Sequence, residues 1–228
     1  MARLTIRKSP GEYDETFMEA MASAYADRTP WTELRLRALE ALVDPQPGDR
    51  IVDLGCAAGA LTDFFAGFGA TVVGVDAAPS AIEKARSVFP QLQFVEADVT
   101  QLPFREGSFD KAVAGDLVEH LDDETFRAML HELRRVLVAG GTLSIYTPNP
   151  RHPIERLKAR NLLLAQNPTH IGLRTAKELK QMLEASGFSI ERLDWAPSFF
   201  RGLRVIERAF GPRIESFRYR ICVRAVNR

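Results

Sequence analysis

Four short apolar runs between residues 50 and 116 each deliver an aspartate at or just beyond their end, and helical patterns separate them. The runs are Arg50 to Leu54, Thr71 to Val75, Leu92 to Glu96 and Phe109 to Ala114, and the acids are Asp53, Asp76, Asp98 and Asp116. Between the runs, Ala60 to Phe68 and Pro79 to Val88 read as helices, with Pro79 in a first turn where its missing N–H costs nothing. Asp123 to Leu137 is a longer amphipathic helix, expected to close on Gly140-Gly141 as a C-cap, and Thr142 to Thr147 is a fifth strand. Alternation at these lengths predicts a parallel sheet with helices on both faces. All four aspartates then reach the carboxyl edge, where open sheets of this kind hold ligands. Any one of them alone reads equally well as a helix N-cap; together they read as a site.

The flanks are different in kind. Residues 14–43 read as two helices parted at Thr29-Pro30, because proline disfavours helix in the residue before it. Asp14 caps the first, which carries Phe17, Met18, Met21 and Tyr25; the second carries Leu34, Leu36, Leu39 and Leu42. Asp44 to Asp49 is a turn. Beyond Pro148, Pro153 to Gln166 and Thr175 to Ser186 read as helices, the latter ended by Gly187. Phe188 to Trp195 and Tyr219 to Val226 read as an antiparallel pair of strands, joined by an insertion rich in arginine and aromatics. At 228 residues the chain suits one core. We read it as a single domain made of an N-terminal helical cap (1–48), a ligand-binding core (49–147) and an acceptor-side region with the terminal strands (148–228).

Composition narrows the class. Apolar residues are 46% of the chain and charged residues 26%, a globular balance. Cys56 and Cys222 form neither metal-ligand spacing nor a disulfide framework, and the start has no apolar core for a signal peptide, so the cytoplasm is the expected location. The apolar stretch from Leu54 to Val75 carries Asp63 and five glycines, which argues against a membrane span. Net charge is zero, yet residues 49–147 carry 8 basic and 15 acidic side chains and residues 148–228 carry 16 and 7. That asymmetry points to an anionic partner near the C-terminal third, or to a solvated face that balances an acidic core.

The glycine turn Gly55-Cys56-Ala57-Ala58-Gly59 follows the first strand, and glycine there lets backbone approach a ligand. Asp76 lies 21 positions after Gly55, near the ~20-residue interval at which an acid reaches a ribose hydroxyl. Gly-x-Gly-x-x-Gly is absent, which argues against a nicotinamide site.

With these elements in order, the chain resembles the class I S-adenosylmethionine-dependent methyltransferases, and more narrowly those of ubiquinone and menaquinone biosynthesis. The matching motifs are Val52-Asp53-Leu54-Gly55-Cys56-Ala57-Ala58-Gly59, Gly74-Val75-Asp76, Glu96-Ala97-Asp98-Val99 with Leu102-Pro103-Phe104, Phe109-Asp110 through Val118-Glu119-His120-Leu121, and Leu133 to Leu137 with Gly140-Gly141, across about residues 30–195. The resemblance implies a Rossmann-like α/β fold with a seven-stranded, mostly parallel sheet, helices on both faces and an antiparallel last strand. It implies S-adenosylmethionine as cofactor and S-adenosylhomocysteine as product. Asp53, Gly55, Cys56, Ala57 and Gly59 would surround the methionine part, Asp76 with Ala77 the ribose, and Asp98 and Val99 the adenine, with backbone near Asp116 and Leu117 completing the pocket. Ala57 departs from the family, which often has a third glycine there.

Methyl transfer from a sulfonium needs alignment and, for a hydroxyl acceptor, a base. His120 and His170 are the candidates, each with an alternative as a structural hydrogen-bonding residue. His131 is read as surface, and His152 as able to join His170, although two histidines make a poor metal site and no metal is required. The helix around Tyr25 reads as a lid or as plain packing. The insertion from Phe199 to Tyr219 reads as a grip for an anionic, amphipathic or membrane-associated acceptor, or as a cover for the sheet. The expected activity is methylation of a small molecule, at a hydroxyl oxygen; carbon or nitrogen acceptors, and a non-catalytic cofactor-binding protein, remain as alternatives. No nucleic-acid-binding module or base-amine motif is present. Oligomeric state is not legible.

Overall fold

In the computed structural model, residues 29–160 and 167–228 are described. The helix expected over 14–28, with Asp14, Phe17, Met18, Met21 and Tyr25, its lid role, and the end of the helix expected to run to Gln166 lie outside these residues. Helix α1 (Pro30–Val43) starts where the sequence places it: Thr29 Oγ1 accepts the Thr32 amide and Pro30 fills the first turn. There follow β1 (Arg50–Leu54), α2 (Ala60–Ala66), β2 (Thr71–Asp76), α3 (Pro79–Val88), β3 (Gln93–Glu96), β4 (Phe109–Gly115), α4 (Asp123–Val136) and β5 (Leu137–Pro148). The last third adds α5 (Pro153–Ala159), α6 (Ala176–Ala185), β6 (Phe188–Ala196), α7 (Arg201–Phe210) and β7 (Arg220–Asn227).

The strands form one sheet in the order β3-β2-β1-β4-β5-β7-β6. The pairs from β3 across to β5 are parallel, and β7 runs antiparallel between β5 and β6. Alternate residues of each inner strand feed opposite cores, which is why the strands read as continuous apolar runs. Val52 and Leu54 face α4 and α6 with Phe126, Leu130, Leu133 and Leu179. Ile51 faces α1 and α2 with Leu39, Leu42 and Phe65. Strand order reverses at β1, whose neighbours are β2 and β4, so a cleft opens at the carboxyl ends of β1 and β4.

One expectation is corrected. Gly140-Gly141 does not cap α4; the helix ends at Val136 and passes directly into β5, where Leu137 pairs with Phe109. The ladder resumes at Lys111 and Thr142, so residues 138–141 form a detour in which Gly140 takes φ 81°. The helix end is satisfied from far away in sequence: the Asn227 side-chain amide donates to the carbonyls of Arg134 (3.1 Å), Leu137 (3.1 Å) and Val138 (3.2 Å). The insertion after β6 also holds a helix, α7, that its composition did not announce.

Leu130 is fully buried in the α4 side of the core. Leu130→Ala should cost about 2–5 kcal/mol, read as a lower denaturant midpoint with unchanged slope.

Candidate active site

The turn after β1 is a backbone cradle. Gly55, Ala57 and Gly59 take φ of 65°, 48° and 84°, and a Cβ on Gly55 would stand 2.9 Å from Leu117 Cδ1. Ala57 holds a left-handed conformation that costs an L-residue about 1–2 kcal/mol, so the departure from glycine shows up as local strain. Asp76 ties this turn to the next one. Its Oδ2 accepts the Ala57 amide at 3.0 Å and its Oδ1 the Ala78 amide at 2.9 Å, leaving each oxygen a second lone pair. Burial raises its pKa against those bonds.

Asp53 points from β1 toward α2, fully buried, with Thr62 Oγ1 donating to Oδ2 at 2.7 Å. Burial pushes its carboxyl up to about 7, against the Thr62 bond. Its Oδ1 is buried with no hydrogen-bond partner, an acceptor waiting for a donor. Beyond β3, Asp98 is exposed and its Oδ1 takes the Thr100 amide and hydroxyl, while Val99 is buried beside it. Ala77 is exposed, and Cys56 is buried with its thiol pushed far up by desolvation, so it is no nucleophile. A cradle without bulky side chains, lined by carboxylates, suits a ligand bearing vicinal hydroxyls and an ammonium group.

Across the cleft the chemistry is cationic. Asp116, at φ 57° just past β4, sits between Arg35 of α1 (2.7 Å) and Arg220 of β7 (3.5 Å). Burial alone would raise its pKa, but Arg220 and then Arg35 hold it below the usual carboxylate range. Arg220 is itself buried, over the rings of Tyr219 and Tyr146. Glu119 is 1% exposed, accepts from Thr147 Oγ1 at 2.9 Å, and is pushed up to about 8 by burial and by the charge of Asp116.

The structure brings His120 and His170 together, edge to face, with ring centres 4.9 Å apart. His120 Nδ1 lies 3.2 Å from the Thr169 carbonyl and 2.9 Å from its hydroxyl, and that hydroxyl donates onward to Asn167 Oδ1. This network assigns the Nδ1–H tautomer and puts the lone pair on Nε2. Burial lowers the pKa of both rings, that of His170 to about 4. His152 does not join them. It is buried, pairs with Glu207 at 3.1 Å and packs its ring on Tyr219, because α7 brings a carboxylate to it. His131 is exposed on α4.

Three residues that the sequence gives no reason to single out hold this half in place. Arg174 donates to the carbonyls of Val118, Leu121 and Gly172, pairs with Asp123, and lies over the Phe126 ring. Gly172 donates to the Glu119 carbonyl, and a Cβ there would lie 1.8 Å from Leu121 O. With Thr169, they clamp the loop bearing His170 onto the turn bearing His120.

Glu119, His120 and His170 each offer a ligand atom within 4.8 Å of the others, the composition of a divalent-cation site. Arg220 and Arg35 both pair with Asp116 beside this cluster, so two guanidiniums stand there against one ionised carboxylate. Gly172→Ala forces the clamp apart; it should destabilise by about 1–3 kcal/mol in thermal melts and disturb the His120 ring resonances in NMR spectra.

Residues 51–141 match the family described as methyltransferase domain. A probable S-adenosylmethionine-dependent methyltransferase of Mycolicibacterium smegmatis is 30% identical over 144 residues, 63% of this chain and 53% of its own. An O-methyltransferase of Aspergillus sclerotiorum is 30% identical over 173 residues (70% and 62%), and a demethylmenaquinone methyltransferase of Clavibacter sepedonicus 34% over 158 residues (64% and 61%). The chain spans about half to just under two thirds of the length of the curated relatives it matches. In fold it is similar to a Haloferax volcanii methyltransferase solved with the Trm112 methyltransferase activator, at TM-score 0.69 and 17% identity, covering 96% of this chain and 97% of that one. Residues 51–141 thus match a methyltransferase domain, in a chain similar over part of its length to probable S-adenosylmethionine-dependent methyltransferases.

Proposed function

We propose that this protein transfers a methyl group from S-adenosylmethionine to a hydroxyl oxygen of a small-molecule acceptor. The observation that carries the reading is the division of one cleft into a carboxylate-lined cradle and a cationic cluster that holds a neutral imidazole. When bound, S-adenosylmethionine supplies a methyl already activated on a sulfonium, so the protein's part is to align, desolvate and move a proton.

In the cradle, Asp76 is placed to accept from the ribose hydroxyls through the lone pairs its backbone bonds leave over. Asp98 and Val99 would hold the adenine, and Gly55, Cys56, Ala57 and Gly59 would leave the backbone open to the methionine part. The orphaned Oδ1 of Asp53 would accept from its ammonium group, directly or through water.

On the other side, Nε2 of His120 accepts the hydroxyl proton while the oxygen attacks. The surplus positive charge of Arg35 and Arg220 against Asp116 favours the oxyanion that this creates, and it would favour an acceptor that is itself acidic. His170 packs on His120 and holds its orientation. The O-methyltransferase among the relatives supports oxygen as the acceptor atom.

Two measurements test this. In calorimetric titration the protein should bind S-adenosylmethionine and S-adenosylhomocysteine, and Asp76→Ala should weaken both by about 10–100-fold, the value of one charged hydrogen bond; undiminished binding would sink the cradle assignment. With a phenolic acceptor, kcat/KM should fall on the acid side with a midpoint below 6.5, because only neutral His120 accepts a proton and burial lowers its pKa. His120→Ala should remove that limb and lower kcat by about 10²–10⁴-fold. Cofactor binding without turnover of any acceptor would instead mark a non-catalytic binding protein.

A further inference from the structure

Helix α7 is inside out for a helix on a soluble surface. Its one carboxylate, Glu207, is fully buried, accepting the Ser198 amide at 2.6 Å and pairing with His152 at 3.1 Å. Its apolar side chains face outward: Val205 is 69% exposed, Ile206 44% and Phe210 50%. At 100° per residue, Val205, Ala209, Ile206 and Phe210 share an arc of about 140°. Phe200 just before the helix and Ile214 just after it are exposed as well. The polar anchor means that the apolar ridge is not needed to hold the helix on the protein.

The charge around the ridge has one sign. From 197 to 219 the chain has five arginines, 201, 204, 208, 213 and 218, against two acids. One of those acids is the buried Glu207, and the other, Glu215, is held by Arg151 at 3.0 Å. Arg208 and Arg213 are exposed, Arg208 one turn from Val205 on the border of the apolar arc. An apolar ridge bordered by arginine, with no exposed acid in its own segment and the neighbouring Asp194 paired with Arg192, is what an anionic lipid headgroup layer selects. The last third of the chain, to which α7 belongs, is also the segment with the surplus of basic residues, 16 against 7 acidic.

We propose that α7, with Phe200 and Ile214, seats this protein on anionic bilayers, its apolar ridge among the acyl-chain roots and its arginines at the phosphates. The seat lies beside the cleft, since Glu207 holds His152 and that ring packs on Tyr219, next to Arg220.

The test is sedimentation of the full chain with vesicles of phosphatidylcholine, with and without phosphatidylglycerol. Binding is expected to the anionic vesicles, to weaken as salt rises, and to fall by about tenfold or more in Val205→Asp/Ile206→Asp and in Arg208→Glu. These side chains are exposed, so the variants should melt, and titrate with S-adenosylmethionine, as the parent does. Failure to bind anionic vesicles, or variants that bind as the parent, would overturn the proposal. A dimer that the Val205→Asp/Ile206→Asp change dissolves, seen without vesicle binding, would give the ridge to a second copy of the chain and overturn it equally.

Discussion

Asp116 is the point on which the site hangs. It stands one residue past β4, in a left-handed conformation that aspartate tolerates better than most residues, and it joins three remote parts of the chain. Arg35 reaches it from α1 and also donates to the Gly115 carbonyl; Arg220 reaches it from the start of β7. A buried ion pair of this kind adds little net stability, because desolvation offsets most of the attraction. Removing one member is another matter, since a lone buried charge costs about 3–5 kcal/mol. The triad therefore acts mainly as a constraint: it makes α1, β4 and β7 converge, and it sets the potential in which neighbouring groups titrate.

That potential explains the protonation states around it. Glu119 lies near Asp116 in a dry environment and is held up at about 8, so it stays neutral while Asp116 keeps the charge. The pair thus divides one negative charge unequally, with the guanidiniums deciding who bears it. The two half-buried imidazoles are held toward the neutral form as well, by desolvation and, at His170, also by His120 and Arg220. A neutral base next to a cationic cluster is a setting in which a hydroxyl becomes easier to ionise. On the opposite side of the same cleft the sheet edge is acidic. The separation follows topology: β1, β2 and β3 deliver carboxylates, whereas α1 and β7 deliver arginines.

The clamp formed by Arg174, Thr169 and Gly172 does for geometry what the triad does for charge. The guanidinium of Arg174 satisfies three carbonyls that the tight turn at 118–121 and its partner loop would otherwise leave wanting. Gly172 permits the backbone approach that makes those bonds short. His120 is therefore held through its neighbours' backbone, and the ring's tautomer through Thr169.

How much of this could be read from residues alone depends on the range of the interaction. Strand–helix alternation, the Thr29-Pro30 break, the Thr175 helix start and the glycine turn are local patterns, and the structure repeats them within a residue or two except at β5, which begins at Leu137 rather than Thr142. The four aspartates at one edge follow from those patterns, because parallel strands all end on the same side. Nothing in the sequence pairs His120 with His170, and folding alone brings their rings together; His152, which the sequence allows to join His170, is instead captured by Glu207 of α7. Gly140-Gly141 carries a cap signature, yet Asn227 supplies the cap and the glycines bend a strand instead. Periodicity and turn chemistry act over a few residues, so the order of elements and the acidic strand ends are legible in the residues alone. The cationic half, the protonation states and the outward apolar face of α7 come only with folding, because burial and charge pairing depend on residues brought together from opposite ends of the chain.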